Sequence, residues 1–416
     1  MSVQGLLPAL LLCTSLPVWA ASAVTLTKSW TSTVSNLQIG AAPVVGDTLV
    51  FVGTAAGDFK AIDKASGKVV WSQPVKVTSL DAPDPPKCVL PLGVSSRAVL
   101  WRGNVYVAGA DASVYAFNQS TGEKLWSRDL SQSMAGAYIW ANLLLVGDAL
   151  YVGIGSAPGQ EAVAGTLVRI DLNDPSNIQT ISFMQGGEGA EVRLDPLYDA
   201  SSQSIFVATG PGMQDPDNGL WGNSLLALDP LTLAIKASYL LPALRPDAVW
   251  SGAPTLFSDL NGTTFVTAST KSGDLHVLAA ADLSEAWTLP IAIGCVCAHC
   301  GCGSISTPAF DSAILYIGSG TVNVDFDDKG TVFALDPNAG SLLWAVTLPG
   351  VVFGPVSVYN DAVVVSTTQG MVLLDRGAGT VLRSLKDSGL GEVTLNKGSL
   401  YSVDAYGALI SWRLTP

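Results

Sequence analysis

Short apolar runs recur along the chain and are separated by Gly, Asp, Asn and Lys. Between residues 42 and 75 four of them follow one another, APVV, TLVFVGT, FKAID and KVVWSQPV, with GD, AAGD and KASG at the turns. Val, Ile, Tyr and Phe dominate these runs, as is typical of half-buried strands. Beyond residue 23 the sequence has no extended stretch with the 3.6-residue apolar period of a helix. The pattern predicts an all-β protein.

An eleven-residue motif occurs three times in nearly the same form. It reads AIDKASGKVVW at residues 61–71, AFNQSTGEKLW at 116–126 and ALDPNAGSLLW at 334–344. Alignment on its Asp or Asn gives eight units spaced by 38 to 58 residues, marked by Asp63, Asn118, Asp171, Asp229, Ala279, Asp336, Asp375 and Arg413. A unit of this size holds a four-stranded sheet with its loops, and repeated sheets build a propeller. We therefore predict an eight-bladed β-propeller of four-stranded antiparallel blades.

The last unit is one strand short. Its final segment, GALISWRLTP, supplies only a third strand, whereas Thr27-Lys28-Ser29-Trp30, near the other end of the chain, resembles the Lys-x-x-Trp of the motif. We expect the N-terminal strand to complete the last blade and close the ring, which removes the free sheet edge that an open array would expose.

The tryptophan that ends the motif is expected to pack between neighbouring blades, because burial of an indole is strongly favourable. The predicted blade-docking residues are Trp30, Trp71, Trp126, Trp287 and Trp344. The third, fourth and seventh units carry Gln179, Ala237 and Arg383 at this position instead.

Composition and charge restrict the class of protein. Charged residues make up 13% of the chain and hydrophobic residues 48%, which suits a packed globular protein. The net charge of −13 repels phosphate backbones, so no nucleic acid partner is expected. Residues 1–23 combine an apolar run with a small-x-small pattern and predict a secretory signal peptide, which leaves residues 24–416 as a single propeller domain. No membrane span is predicted, and we expect a secreted, periplasmic or extracellular location.

Loop lengths distinguish the two faces of the predicted disc. In a four-stranded blade, the loops between the second and third strands and the connections between blades lie on one face, which we call the long-loop face. The long insertions fall in this group: residues 76–96, 131–142, 155–165, 184–193, 210–223, 242–253, 290–304 and 319–330. Binding sites concentrate on such loops, so we expect a protein, polymer or small-molecule ligand there. The opposite, short-turn face carries two candidate glycosylation sites, Asn118 and Asn261.

The A-x-D-x-x-T-G-x-x-x-W motif resembles the tryptophan-docking repeat of quinoprotein-type eight-bladed propellers. That superfamily includes alcohol dehydrogenases that use pyrroloquinoline quinone (PQQ), polyvinyl-alcohol-dehydrogenase-like proteins, and outer-membrane assembly propellers without a cofactor. The resemblance implies that Glu161 stands near the place of a calcium ligand. It also implies that Lys271, in Thr270-Lys271-Ser272-Gly273, takes the place of a PQQ contact.

Other positions depart from the dehydrogenase pattern. Pro211 stands where an Asn ligand is expected, and Trp250 is followed by Ser-Gly-Ala where the family has carboxylates that include its catalytic base. Asp247 is the nearest acid and therefore the candidate base.

Clustered cysteines and acids offer further candidate chemistry. Cys295, Cys297, Cys300 and Cys302 fall within GCVCAHCGCGS, where two local disulfides are favoured over a thiolate metal site that includes His299. Cys88 is the remaining cysteine after the signal. Asp325, Asp327 and Asp328 either help to hold calcium or belong to a solvated rim of acids that includes Glu191. His276 alternates with apolar neighbours and is interpreted as a structural histidine.

Two hypotheses of function follow. The first is a secreted binding or scaffold propeller with a degenerate quinoprotein site and no expected cofactor. The alternative is an alcohol dehydrogenase of the PQQ- and calcium-dependent type, similar to the polyvinyl alcohol enzymes.

Overall fold

The strands of the chain form successive four-stranded antiparallel sheets. The computed structural model describes residues 25–35, 41–76, 93–157, 160, 162–242, 248–259, 261–293, 303–311, 313–321, 329–352, 354–386, 393–404 and 406–415. Within these ranges the regular structure is β, apart from one 3₁₀ turn at Pro216–Asn218. No helix in the described part of the chain is long and apolar enough to cross a membrane.

Every blade except the last takes its strands from one continuous segment of the chain. The first strand is β1 (Thr25–Thr33), which belongs to blade 8. Blade 1 has β2 (Val44–Val45), β3 (Leu49–Gly53), β4 (Asp58–Asp63) and β5 (Val69–Pro74); blade 2 has β6 (Val99–Trp101), β7 (Asn104–Ala108), β8 (Ser113–Asn118) and β9 (Lys124–Asp129). Before blade 3 lies β10 (Ala137–Tyr138), which pairs with the end of β12; the blade has β11 (Leu144–Val146), β12 (Ala149–Ser156), β13 (Thr166–Asp171) and β14 (Ile178–Ser182).

Blade 4 contains β15 (Leu197–Asp199), β16 (Ser204–Ala208), a loop hairpin of β17 (Gln214–Asp215) and β18 (Leu220–Trp221), then β19 (Ser224–Leu228) and β20 (Ile235–Leu240). Blade 5 has β21 (Thr255–Ser258), β22 (Thr264–Ser269), β23 (Asp274–Ala279) and β24 (Glu285–Pro290); blade 6 has β25 (Ala309–Phe310), β26 (Leu315–Thr321), β27 (Lys329–Leu335) and β28 (Leu342–Pro349). Blade 7 has β29 (Ser357–Tyr359), β30 (Ala362–Thr367), β31 (Gly370–Asp375) and β32 (Val381–Leu385), and blade 8 has β33 (Thr394–Asn396), β34 (Ser399–Val403) and β35 (Ala408–Thr415), with β1 outermost.

The predicted fold is confirmed, including the origin of the last strand. β1 pairs antiparallel with β35 from Thr25 opposite Thr415 to Thr33 opposite Ala408. A hydrogen bond of 2.7 Å from Thr394 Oγ1 to the Pro43 carbonyl joins blade 8 to blade 1. Eight four-stranded blades are therefore arranged as a propeller in which the first described strand completes the last sheet.

The acidic or amide residue of the repeat shapes the turn between the third and fourth strands. Asp63 Oδ1 accepts the backbone N–H of Ser66 at 2.8 Å, and Asn118 Oδ1 accepts those of Ser120 and Thr121 at 3.0 Å each. An Asx turn of this kind satisfies backbone donors that would otherwise need water. The hydrogen bonds from Ser66 lower the pKa of the Asp63 carboxyl.

Apolar side chains of neighbouring blades meet in clusters that form the core. Between blades 1 and 2 the ring of Phe51 lies 5.8 Å from that of Trp71, and Phe59 lies 6.1 Å from Phe117. Similar clusters lie between the other sheets. Each buried large side chain contributes about 1.5–3 kcal/mol, so the blade interfaces hold the ring together.

The predicted docking tryptophans lie at blade junctions. The indoles of Trp30, Trp71, Trp287 and Trp344 lie against turn glycines of the following blade, Gly67, Gly122, Gly340 and Gly379 respectively. Nε1 of Trp30, Trp71 and Trp344 donates to the carbonyls of Lys64, Gln119 and Arg376 at 3.0, 2.9 and 3.0 Å. Trp126 packs in the cluster between blades 2 and 3, 5.7 Å from the Tyr106 ring. At these five junctions the repeat thus links one blade to the next.

Candidate functional site

The strand order places the described long connections on one face. The hairpin of β17 and β18 lies between the second and third strands of blade 4, and residues 130–143 and 183–196 connect successive blades. Three of the most exposed apolar side chains among the described residues lie on loops of this face: Met213 (66% exposed) between β16 and β19, Ile293 (80%) after β24, and Tyr406 (83%) between β34 and β35. The face therefore offers apolar surface that the propeller core does not use.

A buried ionic group lies where blades 3 and 4 meet this face. Glu191 is only 5% exposed, and its two carboxylate oxygens accept hydrogen bonds from Ser156 Oγ and Arg193 Nε. Arg193 Nη2 donates back to Ser156 Oγ at 3.1 Å. Glu191 was predicted to belong to a solvated rim, and that interpretation is wrong. Ser156 at the end of β12 and half-exposed Arg193 together enclose its carboxylate.

Hydrogen bonds also connect blades 2, 3 and 4 just before the first strand of each blade. Each participant lies two residues before the first strand of its blade. The backbone N–H of Arg97 donates to Asn142 Oδ1 at 2.6 Å, and the N–H of Asn142 donates to Asp195 Oδ1 at 2.7 Å. Asn142 Nδ2 also donates to Asp195 Oδ2 at 2.6 Å. Burial raises the pKa of the Asp195 carboxyl, while the Asn142 hydrogen bonds and the Arg97 charge oppose that shift.

The segment after Trp250 leaves no space for a side chain at Gly252. The N–H groups of Ser251 and Gly252 both donate to the Ser269 carbonyl, at 3.0 and 3.2 Å. A Cβ added to Gly252 would lie 2.3 Å from Ser269 Oγ and 2.5 Å from the Ser306 carbonyl oxygen. Glycine is therefore required by close packing, and no carboxylate can be accommodated at this position.

Trp250 and His276 form part of the junction between blades 4 and 5. Trp250 Nε1 is buried and has no hydrogen-bond partner among the residues that the structure describes, and its ring meets His276 edge-on at 5.4 Å. His276 Nδ1 lies 3.2 Å from Thr288 Oγ1, 3.4 Å from the Tyr239 hydroxyl and 3.6 Å from Glu285 Oε2. Burial lowers the pKa of His276 and, with the nearby Glu285 charge, raises that of Tyr239. The histidine lies inside this junction.

Lys271 lies in the tight turn between β22 and β23, on the long-loop face. Its backbone N–H donates to the Val249 carbonyl at 2.9 Å, and its own carbonyl approaches Gly303 so closely that a Cβ there would lie 2.0 Å away. The turn is held by blade 5 and by the connection to blade 6. Lys271 is half-buried.

Most of the other predicted site residues lie outside the described residues. These are Glu161, Asp247, Asp325, Asp327, Asp328, Cys88, Cys295, Cys297, Cys300 and Cys302, as well as the predicted signal at 1–23. Their predicted roles in catalysis, calcium binding and disulfide formation stay predictions. Within the described ranges, no group of three or more His, Cys, Asp or Glu side chains is arranged to hold a metal ion.

The candidate glycosylation sites lie on the short-turn face. Asn118 starts the turn between β8 and β9, and Asn261 lies in the turn between β21 and β22. Asn261 is exposed and takes part in a turn held by Asp259. Their use as sugar acceptors stays a prediction.

The short-turn face also contains two depressions. One, of about 480 Å³, lies between blades 3 and 4 and is lined by residues that include Asp148, Tyr151 and Arg169. The other, of about 460 Å³, lies among blades 8, 1 and 2 and includes Lys64 and Arg102. Neither depression was predicted from the sequence. Beside the first, the third unit departs from the repeat motif and has Arg169 and Gln179 where blades 1, 2 and 6 have Ala and Trp.

The fold and its docking repeat define an eight-bladed propeller of the quinoprotein type. The chain belongs to the PQQ_2 family, whose description is outer membrane protein assembly factor BamB, and the family pattern matches residues 18–212 and 249–415.

Curated relatives include dehydrogenases. The quinohemoprotein alcohol dehydrogenase of Comamonas testosteroni is 23% identical over 256 residues, which cover 53% of this chain and 36% of that protein. The quinoprotein alcohol dehydrogenase PedH of Pseudomonas putida is 25% identical over 238 residues, or 47% of this chain and 38% of that protein. The chain thus matches little more than a third of the length of these relatives.

Solved structures of the same fold cover nearly the whole chain. A europium-containing methanol dehydrogenase has a TM-score of 0.76 at 14% identity, with 93% of each chain covered. The quinohemoprotein alcohol dehydrogenase of Comamonas testosteroni gives 0.75 at 16% identity, covering 93% of this chain and 76% of the other. BamB from Moraxella catarrhalis gives 0.64 at 14% identity, covering 94% of this chain and all of the other (100%). At these identities the likeness shows the fold alone.

Proposed function

We propose that this protein is a secreted or periplasmic binding or scaffold propeller. It acts through its long-loop face, and its quinoprotein cofactor site is degenerate. The observation that carries the proposal is the packing of Gly252. Ser269 and Ser306 fill the space in which a carboxylate of the dehydrogenase pattern would stand. The predicted signal at residues 1–23 and the outer-membrane description of the family support the location.

Two described groups at or beside the expected calcium position, Pro211 and the neighbouring Glu191, already have partners within the protein. Pro211, at the place of an amide ligand, has only a carbonyl to offer, and this carbonyl already accepts the Ala190 N–H at 2.7 Å. Both oxygens of Glu191 are occupied by Ser156 and Arg193. A calcium ion binds about six to eight oxygen ligands, and the oxygens of Pro211 and Glu191 already accept hydrogen bonds within the protein. We therefore derive no step through the quinone.

Apolar groups on the long-loop face support a binding role. Met213, Ile293 and Tyr406 come from three different blade regions, and each is more than half exposed. Aromatic residues and methionine are enriched in the buried centres of protein interfaces. The partner class that fits this surface best is a protein or polymer with apolar side groups.

The binding role is tested by cross-linking and affinity purification of the full chain from its native host. The variant M213S/I293S/Y406S should lose most of the specifically captured partner. The control L342S/L343S removes two other apolar residues that are more than half exposed, at the start of β28 on the outer rim, and should retain it. Equal capture by both variants would contradict use of the long-loop face.

The alternative, a PQQ- and calcium-dependent alcohol dehydrogenase, is favoured by the position of Lys271 and by the curated relatives. Purified protein is mixed with PQQ and Ca²⁺, and the melting temperature, the PQQ spectrum and alcohol-dependent dye reduction are measured. We expect no change in any of them. Dye reduction that disappears in Glu161→Gln and Asp247→Asn would establish the alternative, because those acids are its predicted ligand and base.

A further inference from the structure

Two segments of the long-loop face pack together between blades 3 and 4. They are residues 183–196, which connect the two blades, and residues 209–223, which contain the hairpin of β17 and β18. We call them the loop platform. Three backbone hydrogen bonds of 2.7 to 2.9 Å join the segments: the N–H groups of Ala190, Gly210 and Trp221 donate to the carbonyls of Pro211, Glu191 and Phe183 respectively. Because these contacts already fix the platform, a partner that binds it does not have to order it.

The loop platform is acidic. It contains five Asp or Glu residues and one Arg. Two of the acids have partners within the protein, because Glu191 pairs with Arg193 and Asp195 accepts hydrogen bonds from Asn142. The other three, none of which forms an ion pair within the part of the chain that the structure describes, are Glu188, Asp215 and Asp217. Glu188 and Asp217 are exposed and therefore present negative charge to solvent.

An exposed methionine belongs to the same platform. Met213 is 66% exposed and directly precedes β17, two residues before Asp215. Glu188 comes from the other segment, where it precedes Gly189. A Cβ added to Gly189 would lie 2.7 Å from the Pro211 carbonyl oxygen. The segment that carries the methionine is therefore in contact with the segment that carries Glu188, and the platform combines apolar surface with uncompensated acids.

We propose that the loop platform binds a partner polypeptide through a segment that is both basic and apolar. The proposal rests on the proposed use of the long-loop face and adds the charge of the partner. Met213 offers an adaptable apolar contact, since its unbranched thioether side chain fits partners of different shape. Lys and Arg suit this surface because their aliphatic stems pack on apolar groups while their charged ends reach Glu188 and Asp217. The same acids repel anionic partners, so an acidic polypeptide or an anionic lipid surface is disfavoured.

The test is fluorescence anisotropy of labelled peptides with the full chain. The probes are an amphipathic peptide of Leu and Lys, the same peptide with Glu in place of Lys, and oligolysine of equal length. We expect the Leu–Lys peptide to bind and the other two to bind at least about tenfold more weakly, because one lacks the positive charge and the other lacks the apolar groups. Its affinity should fall between about 0.01 M and 0.15 M ionic strength, as the Debye length shortens from about 30 Å to about 8 Å. No binding of the Leu–Lys peptide, or equally tight binding of either other probe, would overturn the proposal.

Glu188→Gln/Asp217→Asn is the decisive variant, because both side chains are exposed and lose their charge with little change of shape. Affinity for the Leu–Lys peptide should fall at least about fivefold at low ionic strength, where screening is weak. The matched control, Glu123→Gln/Asp361→Asn, removes two exposed acids from turns of the short-turn face and should leave the affinity unchanged. Equal losses in the two variants would mean that the peptide responds only to net charge, and that result would refute the site.

This proposal and the proposed function fail in different ways. If M213S/I293S/Y406S loses its captured partner and Glu188→Gln/Asp217→Asn retains it at both ionic strengths, the long-loop face is still the binding surface and the basic partner is wrong. If M213S/I293S/Y406S retains the partner, the proposed function itself is wrong.

Discussion

The indole of Trp71 lies directly against Gly122 of the next blade, and its Nε1 donates to the Gln119 carbonyl at 2.9 Å. A Cβ on Gly122 would lie 2.7 Å from Trp71 Cδ2. Each copy of the motif contains both a glycine and a tryptophan. The contact, however, joins the tryptophan of one copy to the glycine of the next copy, across the interface between two blades.

Gly122→Ala should destabilise the protein because it combines a clash with an unfavourable backbone angle. The φ of Gly122 is +73°, and an alanine there costs about 1–2 kcal/mol in addition to an overpacking cost of about 1–3 kcal/mol. Gly103→Ala is the matched control, since its φ is +78° but no atom lies within 4 Å of the added Cβ. Chemical denaturation should show a clearly larger loss for Gly122→Ala. Equal losses would show that the indole contact does not matter.

At the interface between blades 4 and 5, which lacks both the docking tryptophan and its glycine, introducing the two residues together should restore docking. Ala237 replaces the tryptophan, and Leu283, buried with a φ of +60°, replaces the glycine. Both belong to one apolar cluster, so Ala237→Trp and Leu283→Gly should each destabilise. Together they should restore docking, with a favourable coupling of about 1–3 kcal/mol in a double-mutant cycle of denaturation free energies. Additive losses would mean that the two substitutions are unrelated.

The buried carboxylate of Glu191 should depend on its cation. Arg193→Ala leaves the charge of a 5% exposed Glu191 without its arginine and should lower the free energy of unfolding by about 2 kcal/mol, less than for a fully buried pair because Arg193 is half-exposed. Glu191→Gln keeps the shape and should cost about 1 kcal/mol. In the double variant the loss should be smaller than the sum. If the loss of unfolding free energy in the double variant equalled the sum of the two single losses, the two side chains would not form an ion pair.

His276 predicts a specific pH dependence. Burial holds its pKa below the ordinary value of 6.5, so between these two values the unfolded chain binds the proton and the folded protein does not. The contribution of His276 to the free energy of unfolding is fully present above the pKa of the unfolded state. It decreases as the pH falls below that pKa, by at most about 1.4 kcal/mol per pH unit. Denaturation at pH 7.5 and 5.0 should show a larger loss for wild type than for His276→Gln. Parallel losses would contradict the shift.

Much of the fold can be predicted because its information is local. The strand alternation, the Asx turns and the returning Trp30 segment are all visible in short stretches of sequence, and the blade count follows from them. The interface chemistry is less visible, because partners come from different repeats. Glu191 is flanked by glycine-rich sequence and has the character of a solvated acid, but Ser156, 35 residues earlier, covers it. Arg193, two positions away on an extended segment, was the available clue.

The third unit shows the same limit in another form. Arg169, Gln179 and Leu233 each depart modestly from the motif, and only the strand register across two blades shows that the three departures meet at one junction. Register between adjacent strands can be inferred from sequence, whereas the way two blades pack around the substituted positions cannot.

The pairing of Thr25 with Thr415 determines when this molecule can finish folding. In chain order β1 comes first among the described strands, and it has no partner until residues 408–415 are available to pair with it. Seven sheets can assemble from neighbouring segments while the eighth waits, with the apolar edge of β35 and Leu26 uncovered. Proteolysis between the first ten described residues and the rest of the chain should therefore release β1 and open the ring. The pairing of the two terminal strands is the contact at which we expect the propeller to open first.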